Sequence, residues 1–254
     1  MDKELNKELN KRVIVALDVE GNEKALNLAR KLQGSGCWLK VGLELYSIEG
    51  PTILRELKAL GFPIFLDLKL HDIPTTVERA VRGLISWGID ILNVHCSGGY
   101  EMMARAAETV RTVEHNNGQR TKLIGVTVLT SMSEKELQED LGISRGLEDQ
   151  VLGLAKLAQR AGLDGVVASA KEATALRQAC GSEFLLVTPG IRPAWSEKND
   201  QVRVLTPREA IEAGSSYLVV GRPITRAVDP LEALNRLWEN LASNLAKEMP
   251  THDR

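Results

Sequence analysis

Three segments of the chain share one junction, in which a helix ends at a glycine, a short turn follows and a β-branched run begins. They read Trp87-Gly-Ile-Asp-Ile-Leu-Asn-Val, Ala161-Gly-Leu-Asp-Gly-Val-Val-Ala and Ala213-Gly-Ser-Ser-Tyr-Leu-Val-Val. Glycine suits the left-handed conformation that commonly closes a helix, and runs rich in valine and isoleucine favour strands. Repeated passage from a helix into a buried strand is typical of a parallel α/β architecture.

The same alternation runs along the whole chain after a short polar N-terminal helix. Hydrophobic periodicity predicts strands at residues 13–19, 38–43, 63–70, 89–95, 123–129, 165–168, 184–187 and 217–220. It predicts helices at residues 23–33, 50–60, 73–87, 99–114, 133–140, 147–161, 171–179, 206–213 and 230–247.

Eight strand–helix units without a proline- or glycine-rich linker predict a single α/β domain over residues 1–254, folded as a TIM (β/α)8 barrel. Residues 1–11 form an N-terminal extension. A doubly wound open sheet is the alternative fold. Neither Gly-x-Gly-x-x-Gly nor Gly-x-x-x-x-Gly-Lys follows any predicted strand, so the sequence favours the barrel.

The composition excludes several functional classes. A net charge of −2 and an aromatic content of 4% disfavour a nucleic-acid partner, because such proteins usually have a basic excess and stacking aromatics. Cys37, Cys96 and Cys180 are too widely spaced for a disulfide framework or a zinc site. The N-terminus lacks an apolar signal region, and no apolar run approaches the roughly 18 residues of a membrane span. These features predict a cytoplasmic protein with no membrane partner.

The third predicted strand carries the most informative charges. Residues 64–76 read Ile-Phe-Leu-Asp-Leu-Lys-Leu-His-Asp-Ile-Pro-Thr-Thr, and strand alternation places Phe65, Asp67 and Lys69 on one face. Buried charges are costly unless they pair. Asp72 follows the strand, with Pro74 in the first helical turn. A buried ion pair and an Asp helix cap would also explain this segment by itself.

Other polar residues fall at the same predicted rim, where the active sites of such barrels lie. Asp18 ends the first strand, Lys40 lies on one face of the second, and Thr130 follows the fifth. Each has a structural explanation by itself: a cap for Asp18 and Thr130, and a snorkelling side chain for Lys40. Their coincidence at one rim favours an active site.

The loops after the seventh and eighth strands have the composition of an anion site. They read Val187-Thr-Pro-Gly-Ile-Arg192-Pro and Val219-Val-Gly221-Arg222-Pro-Ile-Thr. Barrels frequently bind phosphate at these loops, and an arginine such as Arg222 offers two hydrogen bonds to phosphate oxygens. The sequence therefore predicts a phosphorylated substrate.

Two other kinds of site are disfavoured. No spacing joins His71 and His95 to a set of metal ligands, and a structural role is the better interpretation of His95. Thr130 and Ser131 lack a nucleophile elbow and an evident His/Asp partner, which argues against acyl transfer.

These motifs, in this order along the barrel, closely resemble those of orotidine 5′-phosphate decarboxylases of the bacterial type, from about residue 13 to residue 225. The resemblance rests on the segment from Asp67 to Thr76, on Asp18 and Lys40, and on the two loops that carry Arg192 and Arg222. Asp-x-Lys-x-x-Asp alone is shared with other sugar-phosphate enzymes. The Asp-Ile-Pro-x-Thr continuation and Lys40 are more specific.

The resemblance implies roles for the catalytic residues. Lys69 would donate a proton to C6 of the pyrimidine after carbon dioxide leaves, and Asp67 would lie near the substrate carboxylate. Lys40 and Asp72 would complete an alternating Lys–Asp–Lys–Asp array. No cofactor and no metal would take part.

The resemblance also implies substrate contacts and a partner. Asp18 and Lys40 would bind the ribose hydroxyls, and Thr130 the pyrimidine. The phosphate would be held by Gln201, Gly221 and Arg222, with Arg192 beside it. Asp72, Ile73 and Thr76 would reach into the active site of a second copy, so that the protein would be a homodimer acting on orotidine 5′-monophosphate.

Two alternatives remain from the sequence. A 3-keto-gulonate-phosphate decarboxylase or hexulose-phosphate synthase would share Asp-x-Lys-x-x-Asp but would normally use Mg²⁺. A non-catalytic barrel that binds a phosphorylated ligand would share the anion site. The absence of a cofactor motif favours the decarboxylase, because a cationic lysine held between carboxylates can stabilise and protonate a carbanion without an electron sink.

Overall fold

The computed structural model describes residues 8–113, 120–193, 195 and 205–238. Within them, eight parallel strands close into a barrel in sequence order, β8 pairing with β1. The strands are β1 Val13–Ala16, β2 Trp38–Gly42, β3 Ile64–Leu70, β4 Ile91–His95, β5 Lys122–Val126, β6 Gly165–Val167, β7 Leu185–Thr188 and β8 Tyr217–Val220. The predicted (β/α)8 barrel is confirmed.

Helices occupy the connections between the strands. They are α1 Asn22–Leu32, α2 Leu43–Glu49, α3 Thr52–Ala59, α4 Pro74–Ile85, α5 Gly99–Thr112, α6 Glu134–Glu139, α7 Leu147–Arg160, α8 Ala173–Cys180, α9 Pro207–Glu212, α10 Arg222–Thr225 and α11 Pro230–Arg236. Short 3₁₀ turns at Cys96–Gly98 and Ala170–Glu172 precede α5 and α8, and residues 8–10 are also helical. In the described part of the chain, no helix is long and apolar enough to cross a membrane.

The elements differ from the prediction in a few places. Strand ends shift by at most three residues, the largest shifts being at the C-terminal ends of β1 and β5. Helices α2 and α10 were not predicted. Helix α2 begins directly after Gly42 without a polar turn, so its first apolar residue was assigned to the strand. The last helix was predicted to reach residue 247, but its residues beyond 238 lie outside the described part.

The three repeated junctions each support a neighbouring strand. Gly88, Gly162 and Gly214 have φ values of 70°, 84° and 105°, the left-handed conformation that a glycine adopts without strain. The residue two positions after each glycine accepts a backbone N–H at or near the start of the adjacent strand. The contacts are Ile64 N to Asp90 at 2.7 Å, Leu123 N to Asp164 at 2.7 Å and Leu186 N to Ser216 Oγ at 3.1 Å. The motif therefore closes a helix and holds two strands together at the N-terminal end of the barrel.

Apolar side chains form two clusters, one on each side of the barrel wall. Along β1, Val13 and Val15 belong to the larger cluster beneath the helices, and Ile14 and Ala16 belong to a smaller one. The smaller cluster fills the barrel interior with Ile14, Ala16, Phe65, Ile91, Ile124, Val187 and Val219. Such a packed interior leaves the C-terminal ends of the strands as the place for a site.

Candidate active site

Four charged side chains alternate in sign at the C-terminal ends of β1, β2 and β3. The Lys40 ammonium lies 3.0 Å from Asp18 Oδ1 and 3.4 Å from Asp67 Oδ2. The Lys69 ammonium lies 2.7 Å from the other oxygen of Asp67. We call Asp18, Lys40, Asp67 and Lys69 the charged row. Each oxygen of Asp67 thus contacts a different lysine.

The inner two members of the charged row are nearly enclosed. The side chains of Lys40 and Asp67 are 10% and 14% exposed, whereas that of Asp18 is 59% exposed. Burial acts to lower the pKa of Lys40, but the carboxylates of Asp67 and Asp18 outweigh it and raise that pKa above its ordinary value. Burial acts to raise the pKa of Asp67, but Lys40, Lys69 and a hydrogen bond from Asn93 bring it below its ordinary value. Both groups therefore stay ionised at neutral pH.

The regular pairing of β3 with β4 is interrupted in the segment of β3 that carries Asp67 and Lys69. Leu66 pairs with Leu92 of β4, and the next pair is Leu70 with Val94. Between these two pairs the chain advances four residues along β3 but only two along β4. Within this bulge Lys69 has φ of 53° and is the only described non-glycine residue with positive φ. The position of the Lys69 side chain in the charged row therefore depends on a bulge and a left-handed backbone conformation. The regular alternation of side chains along a strand, which the sequence predicts, does not account for it.

Asn93 of β4 fills the space beside the bulge and was missed by the sequence analysis. Its side chain is fully buried, accepts the backbone N–H of Lys69 at 2.7 Å and donates to Asp67 Oδ1 at 2.7 Å. The sequence signal that could have identified Asn93 is its position two residues after Ile91, which places a polar side chain on the interior face of β4.

Two adjoining cavities meet at the charged row. The larger, about 450 Å³, is lined by Ala16, Asp18, Val19, Lys40, Pro189, Gly190, Arg192, Val219, Gly221, Arg222, Thr225 and Arg226. The smaller, about 160 Å³, is lined by Lys40, Phe65, Asp67, Lys69, Val126, Val128, Leu129, Thr130, Val167, Pro189 and Val219. The lining of the first includes three arginines and that of the second is largely apolar, so the site offers an anion compartment and an apolar compartment that share Lys40.

Most residues of the anion compartment come from the segments after β1, β7 and β8. Gly221 is the N-cap of α10, with Arg222 and a proline in its first turn. Arg192 is largely buried, and one of its guanidinium nitrogens donates to the carbonyl of Ile191 at 3.3 Å. Arg226, at the end of α10, was not singled out from the sequence because it lies beyond the Gly-Arg-Pro motif.

The remaining predicted site residues do not line these two cavities. Asp72, Ile73 and Thr76 are exposed at the rim, where Asp72 Oδ1 accepts the backbone N–H of Ile73 at 2.6 Å. Asp72 is thus outside the charged row of its own chain, whose fourth member is Asp18. Gln201 lies outside the described residues.

The two histidines near the strand ends stack on each other. The ring centroids of His71 and His95 are 5.4 Å apart with an interplanar angle of 20°. Burial, with the nearby charges of His71 and Lys69, lowers the pKa of His95. Its Nδ1 lies 2.6 Å from Ser97 Oγ. Among the described residues, no three His, Cys, Asp or Glu side chains are grouped as metal ligands.

Residues 11–237 match the profile of the "Orotidine 5'-phosphate decarboxylase / HUMPS family". The chain belongs to this family. The match takes in the whole barrel, from the residues just before β1 to the end of α11.

Individual family members align over nearly their full length. The chain is 53% identical over 232 residues to an orotidine 5′-phosphate decarboxylase of Nitrosococcus oceani, covering 91% of this chain and 98% of that protein. It is 48% identical to one of Bacillus cereus, over 92% of this chain and 99% of the relative. The solved orotidine 5′-phosphate decarboxylase of Lactobacillus acidophilus superposes with a TM-score of 0.80 at 40% identity, covering 89% and 96% of the two chains.

Proposed function

We propose that the protein decarboxylates orotidine 5′-monophosphate to uridine 5′-monophosphate, the last step of de novo pyrimidine synthesis, without a metal or organic cofactor. The observation that carries this proposal is the charged row at the meeting point of an anion compartment and an apolar compartment. Relatives that are about half identical over nearly their full length carry the name of this activity.

The two compartments suit the two ends of this nucleotide. We assign the phosphate to Arg222, Gly221 and Arg192 in the larger cavity, together with Gln201 from outside the described residues. The ribose hydroxyls then lie at Asp18 and Lys40. This placement leaves the smaller cavity for the ring.

The smaller cavity fits a pyrimidine by its chemistry. Val126, Val128 and Val167 provide apolar contact, and Thr130 provides a hydroxyl for a polar edge of the ring. Asp67 and Lys69 line the same cavity, so the carbon that carries the carboxylate comes to rest against them.

The reaction in this arrangement needs one proton and one stabilised negative charge. When the bond between C6 and the carboxylate breaks, carbon dioxide leaves and the electron pair remains on C6. The ammonium of Lys69 stabilises that charge electrostatically and then donates its proton, so that an N–H bond breaks and a C6–H bond forms. Solvent returns the proton to Lys69 after product release.

The other members of the charged row keep Lys69 in place. Asp67 holds the Lys69 ammonium at 2.7 Å, and Lys40 lies 3.4 Å from the other oxygen of Asp67. Because these opposite charges are already oriented, little reorganisation is needed when charge develops at C6. Binding energy from the distant phosphate adds to this effect by fixing the ring against the row.

We further propose that the active protein is a homodimer in which Asp72, Ile73 and Thr76 of each chain complete the site of the other. Three exposed apolar side chains follow consecutive strands at one part of the rim: Leu43 after β2, Ile73 after β3 and Tyr100 after β4, at 63%, 67% and 51% exposure. Such an apolar rim patch suits contact with a second copy.

The assay for this function is turnover of orotidine 5′-monophosphate, followed by loss of the orotate absorbance and by release of carbon dioxide. We expect full activity in excess EDTA, because the charged row supplies the stabilisation that a metal would otherwise provide. A requirement for Mg²⁺ would transfer the assignment to the sugar-phosphate decarboxylases and synthases. Tight nucleotide binding without turnover would instead indicate a binding barrel.

Gly42 leaves the space that the Lys40 ammonium occupies. A Cβ at this position would lie 2.8 Å from Lys40 Nζ and 3.4 Å from Asp18 Oδ1. Since Asp18 and Asp67 hold that ammonium on two sides, Gly42→Ala is expected to lower kcat/KM by about 10- to 100-fold. Gly83→Ala in α4 is the matched control: a Cβ there meets no atom within 4 Å, and we expect unchanged kinetics. Wild-type kcat/KM for Gly42→Ala would contradict the tight placement of Lys40.

A further inference from the structure

The Asn93 side chain joins two members of the charged row. Its Oδ1 lies 2.7 Å from the backbone nitrogen of Lys69, and its Nδ2 lies 2.7 Å from Asp67 Oδ1. A backbone N–H can only donate and a carboxylate can only accept, so the two partners determine which end of the amide faces which. The side chain is 0% exposed, so it makes these contacts away from solvent.

The first of these hydrogen bonds supports an uncommon backbone. Lys69 has a backbone φ of 53°, which residues other than glycine rarely adopt. It also lies in a bulge where the regular register of β3 and β4 is interrupted. Its N–H therefore has no ladder partner on β4 and bonds to the Asn93 side chain instead. A shift of this backbone would move the Lys69 ammonium with it.

The second hydrogen bond orients the carboxylate between the two lysines. Asp67 Oδ1 receives both the Lys69 ammonium and the Asn93 amide, and Oδ2 faces Lys40. Asn93 is neutral, so it directs Asp67 without adding a charge to the row. A hydrogen bond that orients a buried carboxylate in this way defines the direction of its ion pairs.

We propose that Asn93 is a positioning residue for the decarboxylation, which holds the Lys69 backbone in its left-handed conformation and the Asp67 carboxylate in line with both lysines. The inference rests on the proposed function and adds to it a residue outside the charged row. Asn93 does not line either cavity, so it acts on the reaction through Asp67 and Lys69 and not through contact with the substrate.

The test separates turnover from nucleotide binding. For Asn93→Ala we expect kcat to fall about 100-fold or more, because the proton donor and its carboxylate lose their shared support. We expect the Kd for uridine 5′-monophosphate to stay within about threefold, since the proposed phosphate contacts lie in the larger cavity, which Asn93 does not line. The matched control is Thr121→Val, which removes a buried 2.7 Å hydrogen bond to the Ile89 carbonyl at the other end of the barrel. It should lower Tm and leave kcat unchanged.

A second variant, Asn93→Asp, provides a readout that loss of stability alone would not produce. The carboxylate keeps an acceptor for the Lys69 N–H but places a second negative charge against Asp67. Two carboxylates this close share a proton, which raises the pKa of the pair. We therefore expect Asn93→Asp to have low activity at neutral pH. Its activity should increase as the pH falls, because the protonated carboxyl at position 93 can donate a hydrogen bond to Asp67. Wild type should show no such increase. If Asn93→Ala does not fold, the pH profile of Asn93→Asp tests whether Asn93 positions Asp67 and Lys69.

Three results would overturn the inference while leaving the proposed function intact, provided that wild type is active. They are a kcat of Asn93→Ala within about threefold of wild type, an equal loss in kcat and in nucleotide affinity, or a pH profile of Asn93→Asp with the wild-type shape. A wild-type protein that binds the nucleotide but does not decarboxylate it would overturn the proposed function, and this inference with it.

Discussion

Lys69→Ala is expected to lower kcat by about 10⁴-fold or more, because one substitution removes both the proposed proton donor and the positive charge that we place nearest to C6. Affinity for uridine 5′-monophosphate is expected to change far less, since the assigned phosphate contacts lie in the larger cavity. Single-turnover kinetics with orotidine 5′-monophosphate and a separate titration with the product measure the two quantities.

Lys69→Arg separates the two contributions of Lys69 to kcat, its positive charge and its transferable proton. The guanidinium keeps a positive charge but releases a proton very poorly, so we expect a loss of about 10²-fold or more even though the charge is retained. Lys122→Ala, an exposed lysine at the start of β5, controls for the general loss of a positive charge. If Lys69→Ala retained more than about a tenth of the wild-type kcat, another group would have to donate the proton.

Complementation between inactive variants is the second large expected effect. Lys69→Ala and Asp72→Ala are each expected to be nearly inactive as homodimers. In a mixed dimer, one site combines the intact Lys69 of one chain with the intact Asp72 of the other, and the second site carries both lesions. Random pairing of equal amounts gives about half mixed dimers, each with one intact site, so activity should recover to roughly a quarter of wild type.

The placement of these residues motivates this experiment. Asp67 and Lys69 belong to the charged row of one barrel, whereas Asp72 is exposed beyond the end of β3 and its Oδ1 accepts the N–H of Ile73. An exposed carboxylate whose described hydrogen bond is to the next residue of its own chain is accessible to a second chain.

A matched pair of variants supplies the control for complementation. Lys69→Ala mixed with Asp67→Ala puts one lesion into every site, because both residues come from the same strand, and we expect no recovery. Recovery in neither mixture would show that Asp72 serves its own barrel or caps its own helix. That result would remove the shared site and leave the decarboxylase assignment standing.

The sequence alone determined the fold and the end of the barrel where the charges lie. Strand and helix periodicities are local properties of the chain, and the Gly-x-Asp junctions at Gly88 and Gly162 mark helix ends through the left-handed conformation that glycine adopts. Asp18, Lys40 and Asp67 could be placed at one rim because all parallel strands of a barrel point the same way. That inference requires only the direction of the strands.

Only the tertiary structure decided that Asp18 is the fourth member of the charged row within one chain, and that a bulge and Asn93 support Lys69. The contact of Lys40 with both Asp18 and Asp67, the bulge that brings Lys69 to 2.7 Å from Asp67, and the bridge through Asn93 all depend on the register between neighbouring strands. Register is set by packing between segments that are distant in sequence, and a bulge breaks the period of two on which sequence reasoning relies. The residue types at the rim, and an ion pair of Asp67 with Lys69 along one strand, were thus readable from the chain, but the contacts made through Asp18, the bulge and Asn93 were not.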